Sequence, residues 1–320
     1  MNSKKTLLFA AILVLITGVR AVSFEAALSA AQKPQKRIRG SESAERILVP
    51  RSVWFREVAG RGLMVKTWLN DAGPFTFAID TGAGATLLSQ RVADEARVRI
   101  KNGRATSIAG LSGVAVGAHE ASIQSLAIGD RENYLPAKGE VIVTGGLPPD
   151  LDGVLDPTEA FSPLGYVIDL PRGQLSAFDP RENPLRISEA PDEGAVVQWL
   201  REAHGRRPFV MLDRGEHALL DTGSSLGFAI KDQGVDEKRI SGHVVRDVGG
   251  GRISARRVTP VTIAIGSLTL RRIPTDVISG ADIDAPVLLG LSALRPFRLS
   301  FDPLHRLIEI ASVKNAQRPR

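Results

Sequence analysis

Two stretches decide the fold: Phe75–Ser89, FTFAIDTGAGATLLS, and His217–Ile230, HALLDTGSSLGFAI. In each, an apolar run leads into Asp-Thr-Gly, at Asp80-Thr81-Gly82 and at Asp221-Thr222-Gly223, and a second apolar run follows. Asp and Gly are favoured in turns, so one such triplet reads as a plain turn. With Gly at about 7% and Asp and Thr at roughly 5% each, a chain of this length holds one by accident about once in fifteen. Two, each after three apolar residues, call for another cause.

Working outward, the repeat extends beyond the triplets. SLAIGD (125–130) matches TIAIGS (262–267), and GVLDPTEAFSPLGYVIDL (153–170) matches PVLLGLSALRPFRLSFDP (286–303), in the same order in both halves. This is duplication with divergence. Short apolar runs at intervals of about ten residues, broken by Gly, Asn, Asp and Pro, give an all-β texture from Ile47 onward. One helix is expected outside that pattern. Asp192 is placed to cap it, Ala195, Val196, Trp199 and Leu200 share a face, and Gly205 ends it. It would connect the two halves.

The amino terminus has a different texture. MNSKK is followed by thirteen apolar residues, Leu7 to Val19, and then by Arg20-Ala21. That is the three-part pattern of a secretory signal over residues 1–21, and the run is short for a membrane span. The chain is therefore expected to be exported, periplasmic or secreted, with an uncleaved membrane anchor as the alternative. Residues 22–46 read as a flexible basic spacer, or as a propeptide lying over an acidic cleft.

Composition excludes several chemistries. Among 320 residues there is no cysteine, so neither a thiol nucleophile nor a Cys-held metal is available. The five histidines are scattered without ligand spacing, and neither a metal nor a cofactor is expected. Removing Lys4, Lys5 and Arg20 with the signal leaves 38 of the 41 basic residues against 35 acidic ones. A near-neutral mature chain gives no footprint for nucleic acid. The glycine run Gly249–Gly251 lacks the Lys-Ser/Thr of a phosphate loop. The chemistry must come from carboxylates, hydroxyls and backbone.

With these residues in view, the sequence resembles the aspartic proteases, and more closely two retropepsin-like lobes fused in one chain. Val65–Leu69, Asn70–Pro74 and Phe75–Asp80 follow the strand, turn, strand and catalytic loop of bacterial members, and Leu288-Leu289-Gly290 with Leu291–Leu294 fits the second signature. The resemblance implies an all-β, bilobal pepsin-like acid protease fold of two retropepsin-like β-barrel lobes with pseudo-twofold symmetry. Lobes over 47–180 and 207–313 would be joined by 181–206, with 314–320 a tail and the protein a monomer.

The function implied is that of an aspartic endopeptidase acting on peptides or proteins. Asp80 and Asp221 would be the catalytic dyad. Thr81 and Thr222 would hold the loops in register, and Gly82 and Gly223 would turn them tightly. Gly290 would serve the strand crossing. Two facing carboxylates sharing one proton can activate water and protonate an amide without a metal. Ser224 stands beside Asp221 where Ala83 stands beside Asp80, which suggests that Asp221 is the more acidic of the two. Two Gly-containing hairpins, Ile108–Gly113 (with Gly110 and Gly113) and Asp247–Arg252, are candidate flaps.

One departure stands out. Aligned through Asp169 and Asp302, Pro157 falls opposite Gly290. On that alignment the alternative is a weak or inactive protease-fold protein that binds extended peptides or acts structurally in the cell envelope. An exopeptidase or a narrow processing protease is also open.

Overall fold

The computed structural model describes residues 15–16, 47–136, 139–200, 205–232, 241–282 and 286–313. The segments expected to be signal, spacer and tail lie outside these residues. The exception is Leu15 and Ile16, which pair antiparallel with Ala109 and Ile108. Among the described residues the architecture is all-β, with three sheets and three short α-helices, none longer than six residues. No described helix is long and apolar enough to cross a membrane.

The first sheet runs 99–109, 115–122, 140–144, 87–89, 153–155, 72–79, 62–69, and the third runs 241–246, 252–265, 268–279, 228–231, 287–290, 217–221, 209–211. Strand order is the same in both. In each, the strand entering Asp-Thr-Gly lies parallel to a short strand from the second repeat block: Ile79 beside Leu155, and Leu220 beside Leu289. Buried β-branched and aliphatic residues on these strands explain the arrangement. Ile79, Leu155, Leu220 and Leu289 are all without solvent exposure.

A middle sheet joins the halves. Gly165–Asp169 from the first half pairs antiparallel with Phe297–Asp302 from the second, and Tyr166 opposes Phe301. Their rings stack at 4.6 Å, with Phe161 stacked on Tyr166 at 5.9 Å and Trp199 edge-on to Phe301 at 5.9 Å. Such aromatic pairs add about 0.5–1.5 kcal/mol beyond the area they bury. One apolar core runs through this sheet into both halves.

The expected connecting helix is a strand. Gly194–Gln198 pairs antiparallel with Leu307–Ser312 at the edge of the middle sheet. A Cβ at position 194 would stand 3.2 Å from the Ala311 Cα, so the paired backbone approaches closely only because this residue is Gly. Val196 and Val197 are β-branched and favour a pleated surface. Residues 201–204, where the helix was to end, lie outside the described set.

Pro157 does not stand at the glycine position. Gly290 is opposite Asp221 in the third sheet and caps the helix Leu291–Leu294. In the first sheet the pairing of Leu155 with Ile79 puts Asp156 at the corresponding step, and Asp156 caps the helix Pro157–Ala160. The stretch from cap to Asp169 is one residue longer than that from Gly290 to Asp302, which displaces an alignment made from the far end. Pro157 is the first helical residue, where a missing N–H costs nothing and the fixed φ suits the turn.

Candidate active site

Asp80 and Asp221 come to the same place. Each ends a strand that is buried on both faces, and each is fully buried itself. The turns are held from within: Gly82 N–H donates to Asp80 Oδ1 at 2.7 Å, and Gly223 N–H donates to Asp221 Oδ1 at 2.8 Å. Neither glycine has room for a side chain. A Cβ on Gly82 would stand 2.9 Å from the Asp221 carboxyl carbon, and one on Gly223 would overlap the Asp80 carboxyl.

Thr81 and Thr222 interlock the loops. Thr81 N–H donates to Thr222 Oγ1 and Thr222 N–H to Thr81 Oγ1, both at 3.1 Å. The hydroxyls donate onward across the interface, Thr81 to the Leu220 carbonyl at 2.6 Å and Thr222 to the Ile79 carbonyl at 3.1 Å. Four buried bonds thus fix the distance between the two carboxyls. Buried groups of this kind are costly to leave unpaired, so the loops are locked as a unit.

The two carboxyls lie at the loop interface, each against the other loop's glycine, and they are not equivalent. Burial, then the Asp221 charge, push Asp80 well above the usual carboxylate range. Burial pushes Asp221 up to about 6, held down by the neighbouring Asp80 carboxyl and by the amides of Gly223 and Ser224. The Oδ2 atom of each has no N–H or O–H donor from elsewhere in the protein. Two buried carboxyls this close cannot both ionise, so they favour holding one proton between them, and the charge is better accommodated on Asp221, which accepts two backbone amides where Asp80 accepts one.

The asymmetry runs the way the sequence suggested, through a different atom. The Ser224 amide donates to Asp221 Oδ1 at 3.1 Å, giving that carboxylate two backbone donors where Asp80 has one. The Ser224 hydroxyl instead accepts from Leu226 N–H at 3.3 Å. Arg207 is nine-tenths buried near Asp221 and also lowers its proton affinity, with its guanidinium 5.6 Å from the Phe209 ring centre.

Gly290 sits beneath the second loop. A Cβ there would be 2.5 Å from the Leu226 carbonyl oxygen and 2.8 Å from that of Ser224, while its N–H donates to the Gly227 carbonyl at 2.8 Å. The first loop is one residue shorter, and Asp156 fits at the matching step. Sequence reasoning passed over Asp156, although aligning Val154-Leu155 with Leu288-Leu289 exposes it.

Both hairpins form, and their tips meet. Arg99–Ala109 and Ala115–Ser122 carry the tip 110–114, and Ser241–Arg246 and Arg252–Ile265 carry the tip 247–251. Leu111 from the first tip is buried in the third sheet's cluster with Leu226 of the second loop. Val248 from the second tip is buried in the first sheet's cluster with Ala83 of the first loop. The Ser112 amide donates to Asp247 Oδ2 at 2.6 Å, and Gly249 N–H to the Gly146 carbonyl at 3.0 Å. Gly110 lies against the Asp247 carboxyl and Gly113 against that of Asp282, with no space for a Cβ at either.

Residues 65–141 match the family model described as gag-polyprotein putative aspartyl protease. That range covers the first Asp-Thr-Gly loop and the first hairpin, and supports an aspartic protease family. No curated protein matches the chain.

Proposed function

We propose that this protein is an aspartic endopeptidase whose single active site is built by both halves of one chain. The observation that carries the reading is the pair of fully buried carboxyls, Asp80 and Asp221, brought together by two interlocked Asp-Thr-Gly loops. The family match at residues 65–141 agrees with it. Pro157, which alone weighed toward an inactive scaffold, stands in a favourable helical position.

In this mechanism Asp221, the more acidic partner, is the general base that takes a proton from a water held between the carboxyls. Asp80 carries the shared proton and donates it to the scissile carbonyl as the tetrahedral centre forms. As the C–N bond breaks, the proton taken by Asp221 passes to the leaving amine and a hydroxyl of the tetrahedral centre returns its proton to Asp80, which leaves a carboxylic acid product and restores the pair. Thr81, Thr222, Gly82, Gly223 and the Ser224 amide hold the carboxyls still, so that no reorganisation is needed during the reaction. The hairpin tips cover the dyad and must part to admit an extended peptide, which would pair with their edges.

Export belongs to the same proposal and rests on residues 1–21. Sequencing the amino terminus of protein recovered from an exporting host tests it, with a start near residue 22 expected.

Purified mature protein incubated with a fluorogenic peptide library, with and without pepstatin, tests the activity. Asp80→Asn and Asp221→Asn should each lower cleavage by about 10²–10⁴-fold. A folded protein that cleaves nothing between about pH 3 and about pH 8 overturns the reading.

A further inference from the structure

Asp156 occupies the step at which the second half carries Gly290, one residue past the pairing of Leu155 with Ile79. The Asp80 amide donates to the Leu155 carbonyl at 3.0 Å, so Asp156 follows immediately beside the dyad. Its side chain is 1% exposed. Oδ1 accepts the Thr158 amide at 2.9 Å as a helix cap, and the Asp156 amide donates to Thr86 Oγ1 at 3.3 Å. Oδ2 is buried with no hydrogen-bond partner.

A helix of four residues does not need a buried carboxylate with an idle oxygen. Ser or Thr caps as well and leaves nothing unsatisfied. Leu155, the residue before Asp156, binds the Asp80 amide, so the buried carboxyl stands one residue from the dyad's own backbone and raises the proton affinity of Asp80. The other titratable groups facing Asp156 are Glu159 on its own helix, Tyr166 on the middle sheet and Arg206. Glu159 opposes ionisation of Asp156 and Arg206 favours it. Beyond Asp80, among the described residues, stand Asp221 and, near it, Arg207.

We infer that Asp156 is a positioning residue for the dyad: acting through space, its carboxyl keeps the shared proton on Asp80 and extends the singly protonated state of the pair toward neutral pH. The inference rests on the peptidase reading for its functional meaning, though not for its test. Burial and Glu159 push Asp156 itself up to about 7, so its charge grows over the range in which the dyad must retain its last proton. Loss of that proton would place charges on Asp80, Asp221 and Asp156 together, which a buried site resists.

The test compares the wild type with Asp156→Asn and Asp156→Ser, both neutral residues that still cap the helix. Isotope-edited infrared spectroscopy of Asp-labelled protein follows the protonated carboxyl band of Asp80, assigned by its loss in Asp80→Asn. In the variants that band should titrate lower by about one pH unit or more. The alkaline limb of the pH–rate profile for peptide cleavage should move down by the same amount. An Asp80 band that titrates unchanged in a folded variant overturns the inference. A shifted band in a protein that cleaves no peptide would leave the inference standing and remove the peptidase reading.

Discussion

The Ser112 amide points at the Asp247 carboxylate, 2.6 Å away, and so ties the tip of one hairpin to the tip of the other. Asp247 belongs to the second half of the repeat and Ser112 to the first, so the bond spans the molecule's own duplication. Burial raises the proton affinity of Asp247, and the Ser112 amide and hydroxyl offset part of that rise.

Removing this bond should loosen the cover. An amide-to-carboxylate bond is worth about 1.5–3 kcal/mol, so Asp247→Ala should speed hydrogen exchange at residues 110–113 and 248–250 by about tenfold or more. Mass spectrometry of peptic fragments reads this directly. Exchange as slow as in the wild type would mean that apolar anchoring alone holds the tips.

The threonine interlock should be a stability element first. Thr222→Ala strips the Thr81 amide of its acceptor and the Ile79 carbonyl of its donor, both in a dry interior. Urea unfolding should show a loss of about 2–4 kcal/mol. Thr222→Ser keeps the hydroxyl and should lose about 1 kcal/mol.

Stability should fall as pH rises from acid to neutral. Asp221 is raised to about 6 and Asp156 to about 7, against an ordinary 3.8. A carboxyl with raised proton affinity binds its proton more tightly folded than unfolded. Its contribution is complete below about pH 4 and is lost as pH climbs through 6 and 7, a swing on the order of 2–4 kcal/mol. Urea midpoints measured at about pH 4.5 and about pH 7.5 should show the fall, and Asp156→Asn should flatten it.

The starts of the two helices should respond very differently to small changes. Gly290→Ala drives a methyl into the Leu226 and Ser224 carbonyls and should cost at least about 3 kcal/mol. Pro157→Ala removes nothing but a favourable ring at the first helical position and should change stability by about 0.5 kcal/mol. Thermal melts of the two variants side by side check the assignment of Asp156, and not Pro157, to the glycine position.

Much of this was legible in the sequence for a physical reason. The two Asp-Thr-Gly loops, Leu288-Leu289-Gly290 and the glycine hairpins are places where backbone approaches backbone, and such places restrict residue type severely. The strands at Leu63–Leu69 and Phe75–Ile79 were readable because each is a β-type run, apolar apart from Lys66, Thr67 and Thr76, between turn residues. Gly194–Gln198 was misread because Ala195, Val196, Trp199 and Leu200 fit a helical stripe, while its partner strand Leu307–Ser312 lies more than a hundred residues away. Local spacing cannot register such a partner. Asp156 was hidden by a single extra residue before Asp169, and Ser224 offered a hydroxyl to the eye while its amide made the contact.

Leu111 and Val248 each sit in the core of the opposite half. Each tip is thus anchored in the half it does not belong to and tied to its counterpart through Ser112 and Asp247, like two leaves of a door latched together. On the proposed peptidase reading a substrate meets one barrier and not two, set jointly by residues from both repeats, and damage to either leaf should be felt by both.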